Sequence, residues 1–396
     1  MDGHLQGSGA GVSVPGKLRY LWAYSAADEL TVTWHGRNNE VRRQRGYDVN
    51  VFNITPASMG RQWIPFPELD RMWRAGHKPL MRMYEDLAAA LAGRDVLILY
   101  NGANLHPEFV RQLDVFKVYT VGDPESAEIL GRPLCVPFDL VLVNQMSEIS
   151  RYKSWGKEHV YFWPLGSLAS DADVADLTEE SILDPQCRDI PAALVCEYSA
   201  YRNHKLDKLS TEFPQAFFGG RGWPRGIIGR EDMWGTYRHS RIGWNIHNTT
   251  GFNFRTYELP AYGMMEICDN KSDLAQIFDL DREIVGFDTM DECVDKTRYY
   301  LDHVDQQRQI ALGGWLRWKK DYTPIRVWER LVAVVGKHFP GTPGTTKSRA
   351  LVALLHEHRR ETGLNRILYG IRRLLLRPLN LLLIRITRCI KSADDR

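Results

Sequence analysis

The chain has 396 residues, 44% of them hydrophobic and 25% charged, with 51 Lys or Arg against 49 Asp or Glu. That length exceeds what one hydrophobic core usually supports, and the composition is that of an ordinary globular protein, so two domains with an appendage are expected. Six cysteines, at 135, 187, 196, 268, 293 and 389, are scattered without a C-x-x-C, which argues against a zinc ribbon or a disulfide scaffold and suits a reducing cytoplasm.

In chain order, residues 1–16 (MDGHLQGSGAGVSVPG) are rich in Gly and Ser and lack the apolar core of a signal peptide, so they read as a disordered leader. Apolar runs then alternate with helix-like stretches over 17–166, the rhythm of parallel α/β units. Strands are expected at 18–24, 47–54, 95–102, 115–123, 140–145 and 159–166, with helices such as MRMYEDLAAALAG and PEFVRQL between them. No G-x-G-x-x-G follows the first strand, where YLWAYSAADE stands instead, which disfavours a dinucleotide-dependent oxidoreductase. Residues 167–190 are acidic, polar and bounded by Pro, and read as an interdomain linker. A second α/β series over 191–336 begins with AALVCEYS, the helix HKLDKLSTEF and the strand QAFFGG, and runs on to GWNIHN.

The segment WNIHNTTGFNFRTYELPAY carries the most chemistry. Arg255 and Glu258 stand three apart at a helix start, which puts a cation and a carboxylate on one face. An isolated R-x-x-E is usually an exposed ion pair. Beside free backbone amides it is also a corner for a nucleotide diphosphate, with Arg255 toward the phosphates and Glu258 accepting from ribose hydroxyls. Around it, Asn245 ends the strand, where it is expected to touch the nucleotide, and Thr249, Thr250 and Gly251 form a loop that either caps the chain or binds the distal phosphate. Arg202 and Lys205 follow a strand end, as solvated charges or as cations for the diphosphate. Glycines 219, 220 and 222 with Arg221 form either a plain turn or a close backbone approach to a ligand.

The order of these residues, with Ala261, Gly263, Asp269, Phe278, Tyr299, Tyr300 and Leu301, resembles the C-terminal half of the spore-maturation CgeB-like glycosyltransferases, relatives of the group 1 GT-B transferases. The resemblance covers about residues 190–335; the first half matches only in its rhythm. It implies a GT-B fold, two Rossmann-like domains facing a central cleft, with the donor, a nucleotide-diphosphate sugar, on the C-terminal side and a glycan or lipid-linked acceptor on the other. It also implies donor binding by protein cations, with no cofactor. Arg202, Lys205 and Arg255 would then stabilise the departing diphosphate. Asp123, in TVGDP, matches an acidic position at that strand end in the family and is the preferred base, with Asp28 and His35 as alternatives. Group 1 kinship favours retention of configuration, while the residues themselves leave inversion open. A noncatalytic nucleotide-sugar or glycan-binding assembly protein with the same fold is the second reading.

No metal set is expected. The D-x-D triplets at 171–173 and 279–281 fall in the linker and before an acidic strand, and H-E-H at 356–358 points to different helix faces. The last segment, 337–396, is an amphipathic tail. From 345 onward it holds 12 Lys or Arg against 4 Asp or Glu, leaving 39 against 45 for the rest. Arg366, Arg373, Arg377, Arg388 and Lys391 share one helical side, and Leu368, Ile371, Leu375, Leu379, Leu382 and Ile386 the other, with Pro378 as a kink. The pattern suits a helix lying on an anionic membrane, and hence a cytoplasmic protein peripheral on the inner face. A helix packed on protein has the same pattern.

Overall fold

The computed structural model describes residues 18–56, 63–100, 104–121, 132–199, 203–247, 251–269 and 271–340. The leader and the amphipathic tail therefore lie outside the described residues, as do the candidates Asp123, Arg202, Thr249 and Thr250.

All six strands expected in the first half are present: β1 (Arg19–Tyr24), β2 (Asp48–Asn53), β3 (Val96–Tyr100), β4 (Phe116–Val121), β5 (Leu140–Val143) and β6 (Val160–Phe162). They form one parallel sheet in the order β2-β1-β3-β4-β5-β6. Successive side chains of a strand point to opposite faces, and both faces of this sheet are apolar, as a doubly covered parallel sheet requires. Leu21, Ala23, Leu97, Leu99, Val141 and Val143 pack on one side with residues of the helices Phe66–Arg74 and Lys78–Ala90. Tyr20, Trp22, Tyr24, Val96, Ile98 and Leu140 form the core of the other side.

The second half builds a separate parallel sheet from β7 (Ile190–Val195), β8 (Phe217–Gly219), β9 (Ser240–Asn245), β10 (Met265–Cys268) and β11 (Val285–Gly286), ordered β11-β10-β9-β7-β8. Its core joins these strands to the helices Met290–Asp302 and Val304–Asp321. In both sheets the first strand has its successor on one side and a later strand on the other, so a topological switch point falls between β1 and β3 and between β7 and β9. Ligands of open α/β sheets bind outside the carboxyl ends of strands at such points.

Two features differ from the sequence expectation. The segment 167–190 is more than a tether: Ala169, Val174 and Ile182 are buried in the second core, and it holds the short helix Glu179–Leu183, closed by a reciprocal Thr178–Ser181 capping box. The helix Pro324–His338, expected in the second domain, returns to the first sheet. Its Ile325, Val327, Trp328, Leu331, Val334 and Val335 complete the core over Tyr20 and Trp22. The Trp163 indole donates to the Val327 carbonyl at 2.8 Å, fixing the register of this return. An apolar stripe on a helix says that it is covered, but not by which sheet.

Candidate functional site

At the switch point of the second sheet the chain leaves β7 and β9 in different directions, opening a crevice. Arg255, first residue of the helix Arg255–Ala261, spans it: Nη2 donates to the Val195 carbonyl at the end of β7 (2.6 Å) and Nη1 to Asn245 Oδ1 at the end of β9 (3.3 Å). Arg255 stands at the start of the helix, where the spacing put it, and the backbone carbonyl that holds it is invisible in sequence.

Asn245 is fully buried, and its amide is spent inside the protein. Nδ2 donates to Glu266 Oε1 (2.9 Å), to Thr256 Oγ1 (3.1 Å) and to Asn253 Oδ1 (3.2 Å), while Oδ1 accepts from Asn253 Nδ2 (3.0 Å) and from Arg255. This corrects the expectation that Asn245 meets the nucleotide: with every amide valence engaged, it positions the loop and Arg255. Glu266, which sequence reading passed over, is an acidic residue in the middle of the apolar strand β10. Its burial pushes the carboxyl up to about 8 despite the Asn245 hydrogen bond, so it is largely protonated at neutral pH.

Glu258 lies one turn along the same helix, 5% exposed. Burial pushes it up to about 7, with Arg255 and Arg230 pulling the other way and the Leu168 N–H donating to it. Its Oε1 is buried without a hydrogen-bond partner. Across the crevice Lys205 Nζ lies 3.6 Å from Asp269 Oδ2, and Asp269 also accepts from the His247 backbone N–H and pairs with His247 Nδ1 at 2.5 Å. His247, Cys268 and Asp269 hold their donor atoms within 4.8 Å of one another, a grouping that sequence could not show because β9 and β10 deliver it. Burial holds the Cys268 thiol well above its usual range, so it is a neutral thiol, and an ammonium already faces Asp269; the set is that of a hydrogen-bonded cluster.

Gly220 has φ 125°, and a Cβ there would meet the Cys196 carbonyl at 2.1 Å, so the turn after β8 presses against the end of β7 with no room for a side chain. Arg221 projects from the turn, well exposed, 3.7 Å from Glu197. Gly251, φ 127°, faces the first half, where a Cβ would fall 1.5 Å from Gln145 Nε2; next to it Asn144 Nδ2 donates to the Phe252 carbonyl at 3.2 Å. The two halves therefore touch where β5 ends and the segment leading into the helix Arg255–Ala261 begins.

Among the base candidates, Asp28 is the N-cap of the helix Glu29–Gln44, accepting from Thr31 N and Thr31 Oγ1, both at 2.8 Å, which hold its carboxyl below the usual range. His35 is 2% exposed in an aromatic cluster, its Nδ1 accepting from the Trp22 indole at 3.2 Å, and burial drives it down to about 3. Both alternatives are thus engaged in structural roles, and the third candidate, Asp123, lies outside the described residues. The first D-x-D is a turn in which Asp173 Oδ2 accepts from Ser170 N and Oγ, and the second carries Asp281 at φ 61°.

This is the GT-B fold, the architecture of a large class of glycosyltransferases. Residues 202–333 match the family model described as "Glycosyl transferase-like". Among solved structures the chain is similar to Anabaena HepE in complex with UDP-glucose, at 11% identity over 81% of this chain and 100% of that one, with a TM-score of 0.51. It is also similar to sucrose-phosphate synthase from Thermosynechococcus elongatus (12% identity, 85% and 100% coverage, TM-score 0.56) and to an alpha-glucosyltransferase in complex with UDP and a mismatched DNA (10%, 81% and 100%, TM-score 0.56). No curated protein matches the chain in sequence.

The carboxyl of Glu266 makes stability depend on pH. Unfolded, it ionises near 4.5; folded, it keeps its proton to about 8, so the native state holds the extra proton and stability falls as pH rises through that window. Glu258 adds a smaller decline ending near 7. Glu266→Gln, whose amide oxygen still accepts from Asn245, is expected to flatten the decline, so that urea midpoints of variant and wild type diverge from acid to mildly alkaline pH. Parallel curves would show that Glu266 ionises in the folded protein as it does in water.

Proposed function

We propose that the protein is a glycosyltransferase moving a sugar from a nucleotide-diphosphate sugar to a glycan or lipid-linked acceptor, close to the CgeB-like branch of the GT-B enzymes. The observation that carries this reading is Arg255 bridging the β7 and β9 ends with the unpartnered Glu258 carboxylate oxygen beside it, on a GT-B fold. In this reading the donor lies along the crevice of the second sheet. The relatives crystallised with UDP and UDP-glucose make a uridine nucleotide the first donor to try.

Lys205 and Arg255, with Arg202, face the diphosphate and offset the charge that grows on it as the glycosidic bond breaks. The absence of slack in the Asn245 network keeps Arg255 in place, so little reorganisation accompanies the reaction. Glu258 accepts from ribose hydroxyls and loses its proton as it does so. Gly220 and Gly251 shape the site indirectly, by letting their loops pack on Cys196 and Gln145 where no side chain would fit. The acceptor proton goes either to Asp123, which gives inversion, or to the departing diphosphate, which gives retention.

Replacing Glu258 with Ala is expected to weaken donor binding by about 1–3 kcal/mol, the scale for losing charge-assisted hydrogen bonds, and Glu258→Gln by less because shape and one acceptor persist. Calorimetry with UDP, GDP, ADP, CMP and TDP sugars reads this; unchanged affinity in a variant that melts normally would remove Glu258 from the site. Donor binding without hydrolysis or transfer would instead identify a noncatalytic binding protein.

Turnover is expected to survive EDTA, because protein cations serve the diphosphate. Activity lost on chelation and restored by manganese or magnesium would move the charge stabilisation to a metal.

No helix among the described residues is long and apolar enough to cross a membrane. We place the protein at an anionic membrane surface through its basic tail, which contributes roughly 1 kcal/mol per basic residue there. Deleting residues 345–396 is then expected to abolish sedimentation with anionic liposomes while sparing activity on a short soluble acceptor. Equal sedimentation of the two forms would show a tail packed on protein.

A further inference from the structure

Away from the donor crevice, a cavity of about 20 Å³ lies between the first sheet and the returning helix Pro324–His338. Arg42 forms part of its wall. The guanidinium carbon lies 4.2 Å from the Trp22 ring centroid and 4.5 Å from that of Trp328, and the residue is 6% exposed. Its Nη1 is buried with no hydrogen-bond partner, and so is Nε1 of Trp328, another wall residue. Among the described residues no carboxylate lines the cavity.

Cation–π contact with two indoles reduces the penalty of burying this charge, but it does not neutralise it. Burial pushes Arg42 down to about 9, and the group is still protonated at neutral pH. A buried charge of this kind calls for a counter-charge. The surroundings add to the positive field: Pro324, also in the wall, opens a helix of 15 residues whose amino end therefore faces the cavity. The space admits one particle of about water size or slightly larger, and is too small for sulfate or phosphate.

We infer that this cavity is a halide site, occupied by a single chloride that accepts from Arg42 and Trp328. The wall also contains Leu165 and Ser167, from the first crossing between the two halves, and Pro324 and Val327, from the second. The ion therefore pins both crossings to the first sheet, independently of whether the donor crevice works as proposed. Chloride acts in this way as a structural ligand of the hinge.

The test uses the full-length protein. Thermal melts in sodium chloride are compared with melts in sodium gluconate at equal ionic strength, and crystals grown in sodium bromide are measured at the bromine edge. Chloride is expected to raise Tm saturably where gluconate does not, as a ligand of the native state must. An anomalous peak is expected beside the Arg42 guanidinium. Arg42→Met should abolish the chloride-specific rise and Trp328→Phe, which keeps the packing but removes the N–H, should weaken it severalfold. If Arg42→Met does not fold, Trp328→Phe and the bromide peak decide. Equal responses to chloride and gluconate with no anomalous peak would overturn the inference and leave the cavity to water.

Discussion

One buried side chain sets the geometry on which the candidate site depends. A polar amide at the end of a central strand must have its hydrogen bonds met inside the protein, because an unmet one there costs about 1–3 kcal/mol. Asn245 meets all of them at once, and its partners are the next strand (Glu266), the loop (Asn253), the helix (Thr256) and the site cation (Arg255). No partner can shift alone. The position of Arg255 is thus inherited from a network centred on the fully buried Asn245, and the protonated state of Glu266 is part of the same arrangement. Preorganised charge is what a reaction with a departing diphosphate needs, and rigid burial is how proteins provide it.

The halves of the molecule meet in two ways that differ in kind. At the cleft Asn144 donates to the Phe252 carbonyl, Gln145 lies against the bare Cα of Gly251, and Phe162 of β6 packs edge-to-face on Phe252 at 6.4 Å. Behind it, the returning helix is buried along its whole apolar stripe in the first core. Separating that helix from the sheet would expose several aromatic and aliphatic side chains to water.

Much of this was legible in sequence. Strand positions followed from apolar runs doubly covered by helices, and the R-x-x-E spacing located the corner at the end of β9. The residue order from Arg255 to Leu301 pointed to the fold. What was not legible was direction. Asn245 at a strand end looks the same whether it faces a cleft or a core, and only the three-dimensional neighbours Glu266 and Asn253 distinguish them. His35 likewise gives no local sign of the aromatic cage that keeps it neutral, although Asp28 followed three residues later by Thr31 was a readable cap. The His247–Cys268–Asp269 cluster draws on two strands that meet only in the sheet. The destination of residues 324–338 was hidden because an apolar stripe carries no address.

That last helix also has a consequence for synthesis. Tyr20 and Trp328 are in edge-to-face contact 5.2 Å apart, although nearly the whole described chain separates them. On the ribosome, where chains grow at about 5–20 residues per second, the first half emerges long before the helix that covers Tyr20 and Trp22. The helix Glu29–Gln44 covers part of this face early, through His35 and Arg42, but the part that the last helix covers stays open through the translation of everything between. The nascent chain must therefore carry an aromatic-rich surface for tens of seconds, a window in which a chaperone or the second half itself has to shield it, and no fragment ending before Val335 can bury that face as the intact chain does.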